Sequence, residues 1–77
     1  MTEFKKGQKV LCHRDYLGNP EVRGKTGVVR YVDGGVVGVE FPFKMGVGHG
    51  LSDLCEYGYG WYVMTHYLSP VILEENV

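Results

Sequence analysis

The chain contains no alanine. Alanine is the strongest helix former, and the abundance of valine in its place argues for strands over helices. Proline is scarce, three residues against twelve glycines, which predicts many tight turns. No apolar run approaches the ~20 residues that a membrane-spanning helix needs. The opening stretch MTEFKKGQKV has no apolar core of the kind a secretion signal carries, so the expectation is a cytoplasmic location with Cys12 and Cys55 as free thiols. Low-complexity tracts are also missing. With 44% hydrophobic and 22% charged residues, the 77 positions describe one folded domain with a small core.

Residues 45–77 hold no Lys or Arg at all. All eight lie in residues 1–44, against five acids, a balance of +3; the second stretch carries four acids, a balance of −4. A net charge of −1 excludes a global basic field that would draw in polyanions. The separation of sign suggests an oriented binding surface.

Motifs of chemistry are absent too. Cys12, His13, His49, Cys55 and His66 are potential metal ligands, yet no C-x-x-C or H-x-x-x-H pair exists. Zinc needs four ligands, or three and water, and only Cys12 and His13 are neighbours in sequence. The expectation is no metal and no cofactor. Ser52 and Ser69 lack a nucleophile elbow, and Cys55 with His49 is a conceivable thiolate pair whose separation alone fixes no geometry, so the expectation is not an enzyme. GVGHG (46–50) lacks the Lys-Ser/Thr of a phosphate loop and reads as a turning lid.

What is present alternates. GQKVLCH (7–13) reads as a strand with Val10 and Cys12 on one face. RDYLGNPEVRG (14–24) is a loop bending at Gly18-Asn19-Pro20. KTGVVRYV (25–32) and VVGVEF (36–41) flank Asp33-Gly34-Gly35, a strong hairpin signal, with Val37, Val39 and Phe41 inward. Pro42 stops that strand, and residues 42–54 form a long loop. GWYV (60–63) is a strand, MTHYL (64–68) one 3₁₀ turn, Ser69-Pro70 a bend, and VIL (71–73) the closing strand.

These elements describe a small, bent β-barrel. GKTGVVRYVDGGVVGVEF (24–41) resembles the G-x-x-G-x-V hairpin of KOW, Tudor-type and related SH3-like barrels. GWYVMTHYL (60–68) resembles the glycine–aromatic–turn–tyrosine segment before the last SH3-like strand. The order GHG, CEYGYGWYV, YL is similar to small SH3-like proteins encoded by bacteriophages. The resemblance covers about residues 7–73 as a fold and 46–68 more specifically. Met64 stands where that pattern usually has proline. The resemblance implies an all-β, SH3-like barrel of about five short strands, one domain over 1–77, with a long 42–56 loop and a 3₁₀ turn before the last strand. It also implies a protein of the bacterial host cytoplasm.

If residues 57–63 are extended, Tyr57, Tyr59 and Trp61 share one face. Such rings suit an extended peptide. The expected function is a non-enzymatic binding module, a phage accessory protein that docks a host or phage protein across those rings. The 42–56 loop with His49 forms one wall and the 14–24 loop with Tyr16 the other. Tyr67 is expected to be structural. The alternative is weak nucleic-acid binding through Lys9, Arg14, Arg23, Lys25 and Arg30 of the basic half.

Overall fold

The computed structural model describes residues 4–71. Five strands form one antiparallel sheet in the order β4-β3-β2-β1-β5. They are β1 Lys9–Cys12, β2 Thr26–Asp33, β3 Val36–Glu40, β4 Gly60–Met64 and β5 Leu68–Pro70. Two 3₁₀ turns, Pro20–Val22 and Thr65–Tyr67, complete the regular structure, and none of the described residues is α-helical. β4 and β5 stand at the two edges of the sheet. The sheet is therefore open, and the closed barrel expected from sequence is not formed.

The middle hairpin follows from its residues. Asp33 pairs with Val36, leaving Gly34-Gly35 as a two-residue turn in which Gly34 has φ +59°. A type II′ turn needs a positive φ at that first position, and its twist matches that of the strands it joins. Val37, Val39 and Phe41 are buried as their alternation predicts, opposite Val29 and Val63. Val10 and Cys12 of β1 complete this side of the sheet. In β2 a bulge at Arg30 lets Val29 face the core while Tyr31, two residues on, faces away.

The loop after β1 is built around Asn19. Its side-chain oxygen accepts from the N–H of Glu21, which caps the first 3₁₀ turn, and Val22 is driven fully into the core. Asn19 is itself buried, and its amide donates to Met45 Sδ at 3.4 Å. The N–H of Gly46 donates to Glu21 Oε1 at 2.9 Å. The 14–24 and 42–56 loops thus meet, instead of standing apart as separate walls.

Two further expectations are corrected. The last strand is Leu68–Pro70, not 71–73; Val71 follows it, and residues 72–73 lie outside the described residues. Pro70 pairs with Val10 on an edge strand. The flanking bonds, His13 N–H to Tyr67 O and Val71 N–H to Lys9 O, put the β1-facing groups at residues 67 and 71. By alternation the missing N–H of Pro70 would point off the sheet, where proline is tolerated. Residues 57–63 are not one extended run either. The N–H of Tyr59 donates to Glu56 O at 3.1 Å, and Gly58 has φ +98°, so residues 56–59 form a turn and the strand begins at Gly60.

A candidate aromatic docking surface

β4 carries rings on both faces. Trp61 pairs with Val39 and lies on the core side, where it packs against the core while staying half-exposed. Its Nε1–H donates to the hydroxyl of Tyr16 at 2.9 Å. Tyr16 in turn meets Tyr67 edge to face, ring centres 5.1 Å apart, and Tyr67 stacks on His66 at 4.2 Å. On the other side of Trp61, His49 lies 5.6 Å away and continues to Tyr62 at 5.0 Å. Tyr62 meets Tyr31 at 5.8 Å. Rings from five segments therefore form one ribbon, His66–Tyr67–Tyr16–Trp61–His49–Tyr62–Tyr31. All but Tyr16 keep part of their surface open to solvent. Such edge-to-face and offset contacts add to simple area burial and hold the rings in fixed orientations.

The outward side of β3 and β4 explains why His49 sits where it does. Gly38 and Gly60 leave a socket there, and Leu51 fills it. A Cβ at Gly60 would stand 2.5 Å from Leu51 Cγ, and one at Gly38 would stand 3.1 Å from Leu51 Cδ2. Leu51 is fully buried yet lies outside the main core cluster. The 42–59 segment is thus folded over the sheet. Its backbone is strained to do so: Leu51, Ser52 and Asp53 have φ of 53°, 59° and 75°. Left-handed geometry costs about 1–2 kcal/mol per such residue. Burial of a leucine returns about 1.5–3 kcal/mol, and bonds from the N–H groups of Leu54 and Cys55 to Gly50 O supply about 1 kcal/mol each. The strain is offset only while Leu51 stays seated.

This loop also orients His49. His49 and Gly60 exchange backbone hydrogen bonds, and Nδ1 accepts from the N–H of Leu51 at 3.2 Å. An accepting Nδ1 puts the proton of the neutral ring on Nε2. The imidazole is held as part of the ribbon, with no cysteine thiol bonded to its ring.

The expected three-ring platform is rearranged. Tyr59 and Trp61 do share the core side of the sheet, since Tyr59 O accepts from the N–H of Phe41 beside the Val39–Trp61 pair. Tyr57 leaves that face at the 56–59 turn and is 74% exposed. Tyr16, expected as an exposed wall, is buried, and it joins the exposed rings through its bond to Trp61 and its edge contact with Tyr67. Tyr67, expected to be structural, packs on the core. Tyr31, Tyr62 and His66 were not expected to belong to the docking surface. The signal that could have found Tyr31 and Tyr62 is Gly38 between them in the register.

The sulfur and imidazole groups are dispersed. Cys12 lies in the core, and burial, aided by the Asp15 carboxylate, pushes its thiol up to about 11. Burial also raises Cys55, and Glu40 adds to that shift. Raised thiols are poor nucleophiles near neutral pH. Both cysteines are free. His13 Nε2 bonds to Ser69 Oγ at 2.7 Å. Among the described residues no three His, Cys, Asp or Glu side chains converge as metal ligands would.

The five cations expected to carry nucleic-acid binding are not gathered on one patch. Arg14 packs beside Gly24, between Arg23 and Lys25 in the chain. Lys9 and Arg30 line a cleft of about 310 Å³ with Thr26, Val28, Glu40 and Pro42. Arg30 Nε donates to Glu40 Oε1 at 2.7 Å, which neutralises half of that cleft's positive charge. Among the described residues no helix is long and apolar enough to cross a membrane. Compared with known proteins, the chain matches no family model, no curated protein and no solved structure.

Proposed function

We propose that the chain is a non-enzymatic, SH3-like binding module that docks a segment of another protein across the aromatic ribbon. The observation that carries this reading is the continuity of the ribbon: half-exposed rings from separate segments are locked edge to edge by Trp61–Tyr16 and His49–Leu51 hydrogen bonds. Rigid aromatics give contact area at low entropic cost, which is what a docking surface needs. The SH3-like assignment rests on the sequence resemblance, joined by five short strands, a two-residue central hairpin and a 3₁₀ turn just before the last strand. The same resemblance supports a phage accessory protein acting in the bacterial cytoplasm on a host or phage protein.

A second reading, weak nucleic-acid binding, draws on the Lys9–Arg30 cleft and on Arg14, Arg23 and Lys25. One experiment separates the two. The chain is used to capture partners from bacterial lysate beside a Tyr62→Ala/His66→Ala variant, which removes two half-exposed or exposed rings of the ribbon. Docking on the ribbon predicts a protein partner that is lost with the variant and retained between about 50 and 200 mM salt, whereas phosphate-led binding falls by orders of magnitude over that range. Capture unaffected by the variant would rule the ribbon out.

A further inference from the structure

β4 is an edge strand with an incomplete cover. On its open side His49 N–H donates to Gly60 O at 3.0 Å and Gly60 N–H donates to His49 O at 2.8 Å. Antiparallel ladders alternate, so successive residues aim their backbone groups to opposite sides. The bonds toward β3 agree: Tyr59 O accepts from Phe41 N–H and Thr65 N–H donates to Gly35 O. Residues 59, 61, 63 and 65 therefore face β3, while Gly60, Tyr62 and Met64 face out. His49 satisfies Gly60 only. The N–H and C=O of Tyr62 and the N–H of Met64 point off the sheet, and among the described residues no other segment bonds to them. Met64 is 51% exposed.

A row of unpaired backbone groups on an exposed edge is a template for an added strand. Its surroundings select the strand. Trp61 and Tyr62 flank the edge on opposite faces, with His49 at its head. β4 and residues 45–59 of the loop that covers it hold no Lys or Arg, and Asp53 and Glu56 there are exposed; Lys44, at the start of the loop, lies along Gly58. A second copy of the chain would bring the same acids to the same edge; a basic segment brings the complement.

We propose that the Tyr62–Met64 edge takes an extended, lysine- or arginine-bearing segment of the partner protein as a sixth strand. This deepens the docking reading and rests on it, since the segment would lie against Trp61, His49 and Tyr62. Backbone pairing gives affinity that tolerates many sequences, and the rings and acids supply the preference.

The test titrates ¹⁵N-labelled full chain with a short synthetic peptide alternating lysine and valine. Beside it run the same peptide N-methylated at every second residue and a glutamate–valine counterpart. Saturable shifts are expected at the Tyr62 and Met64 amides, with hydrogen exchange there slowed about tenfold or more. The N-methylated and glutamate peptides should each bind about tenfold more weakly. Met64→Pro is the matched variant. Met64 already has φ −70° and ψ 144°, which proline adopts, and its N–H makes no bond within the sheet. It should leave melting unchanged and weaken the lysine peptide about tenfold. Shifts confined to Tyr16, Tyr67 and His66, with exchange at Tyr62 and Met64 unaltered, would overturn strand addition and leave ribbon docking standing. No shift anywhere would overturn both. Equal binding of the glutamate peptide, or full affinity in folded Met64→Pro, would also defeat the proposal.

Discussion

The two sides of β3 are packed by opposite means. One presents Val37, Val39 and Phe41, which fill the core with their own bulk. The other presents Gly38, whose want of a side chain lets Leu51, Tyr31 and Tyr62 close over the strand. The first side is written in adjacent letters, two residues apart. The second is completed by a leucine thirteen positions further on, held by a left-handed turn that glycine alone normally tolerates. A strand can therefore be buried on both faces while its sequence shows apolar alternation on only one.

Substitutions can break this contrast from either side. The largest effect is expected of Val39→Asp. An unpaired charge in the core costs several kcal/mol, on the order of a small domain's whole stability of ~5 kcal/mol. A native-like dispersed spectrum for this variant would show that the register of β3 is wrong. Leu51→Ala comes next, at about 2–5 kcal/mol, because it empties a closed socket while leaving the strained turn in place. A chemical melt superimposable on that of the parent would mean that the outward side is only a cover and not a second core. Gly60→Ala should cost about 1–3 kcal/mol by overpacking, since its methyl carbon would meet Leu51 Cγ, His49 O and Cys55 Sγ within 2.9 Å. In the Leu51→Ala background that cost should shrink, and a double-mutant cycle giving strict additivity would deny the contact. Tyr57→Ala should change stability by less than about 0.5 kcal/mol, because its ring stands clear of both sides. A larger loss would bring Tyr57 back into the packed aromatic set.

The core side was legible because its signals are local. Alternation in β1, β2 and β3 and the Asp-Gly-Gly turn placed those strands within a residue or two. The 3₁₀ turn before the last strand was legible in the same way. Elsewhere local reading failed for definable reasons. Tyr57-Gly58-Tyr59-Gly60 keeps a period of two straight through a turn, so periodicity alone could not show that Gly58 reverses the chain. Ser69-Pro70 looks like a bend because proline interrupts a strand interior, but β5 is an edge where the lost N–H is free. The ribbon was half legible. Trp61, His49 and Tyr16 were singled out and do come together, but through a buried tyrosine hydroxyl that composition could not orient. Tyr31 and Tyr62 lie far apart in sequence, and only the strand register makes them neighbours across Gly38. Closure of the barrel was expected from the run of short strands as well as from family likeness, and edge pairing of β4 with β5 is a long-range event that no local pattern encodes.

The socket for Leu51 has a consequence for the order in which the molecule assembles. Its walls come from β3 and β4, so it does not exist until those strands have paired in register. The β2–β3 hairpin, joined by two residues, closes a short loop and can form early; the leucine must wait for contacts of longer range. Its seating therefore belongs to the descent from the folding transition state. Interactions made that late slow unfolding and leave the folding rate almost untouched. By this logic Leu51 acts as a latch on the finished sheet, governing how long the native state lasts once it has been reached.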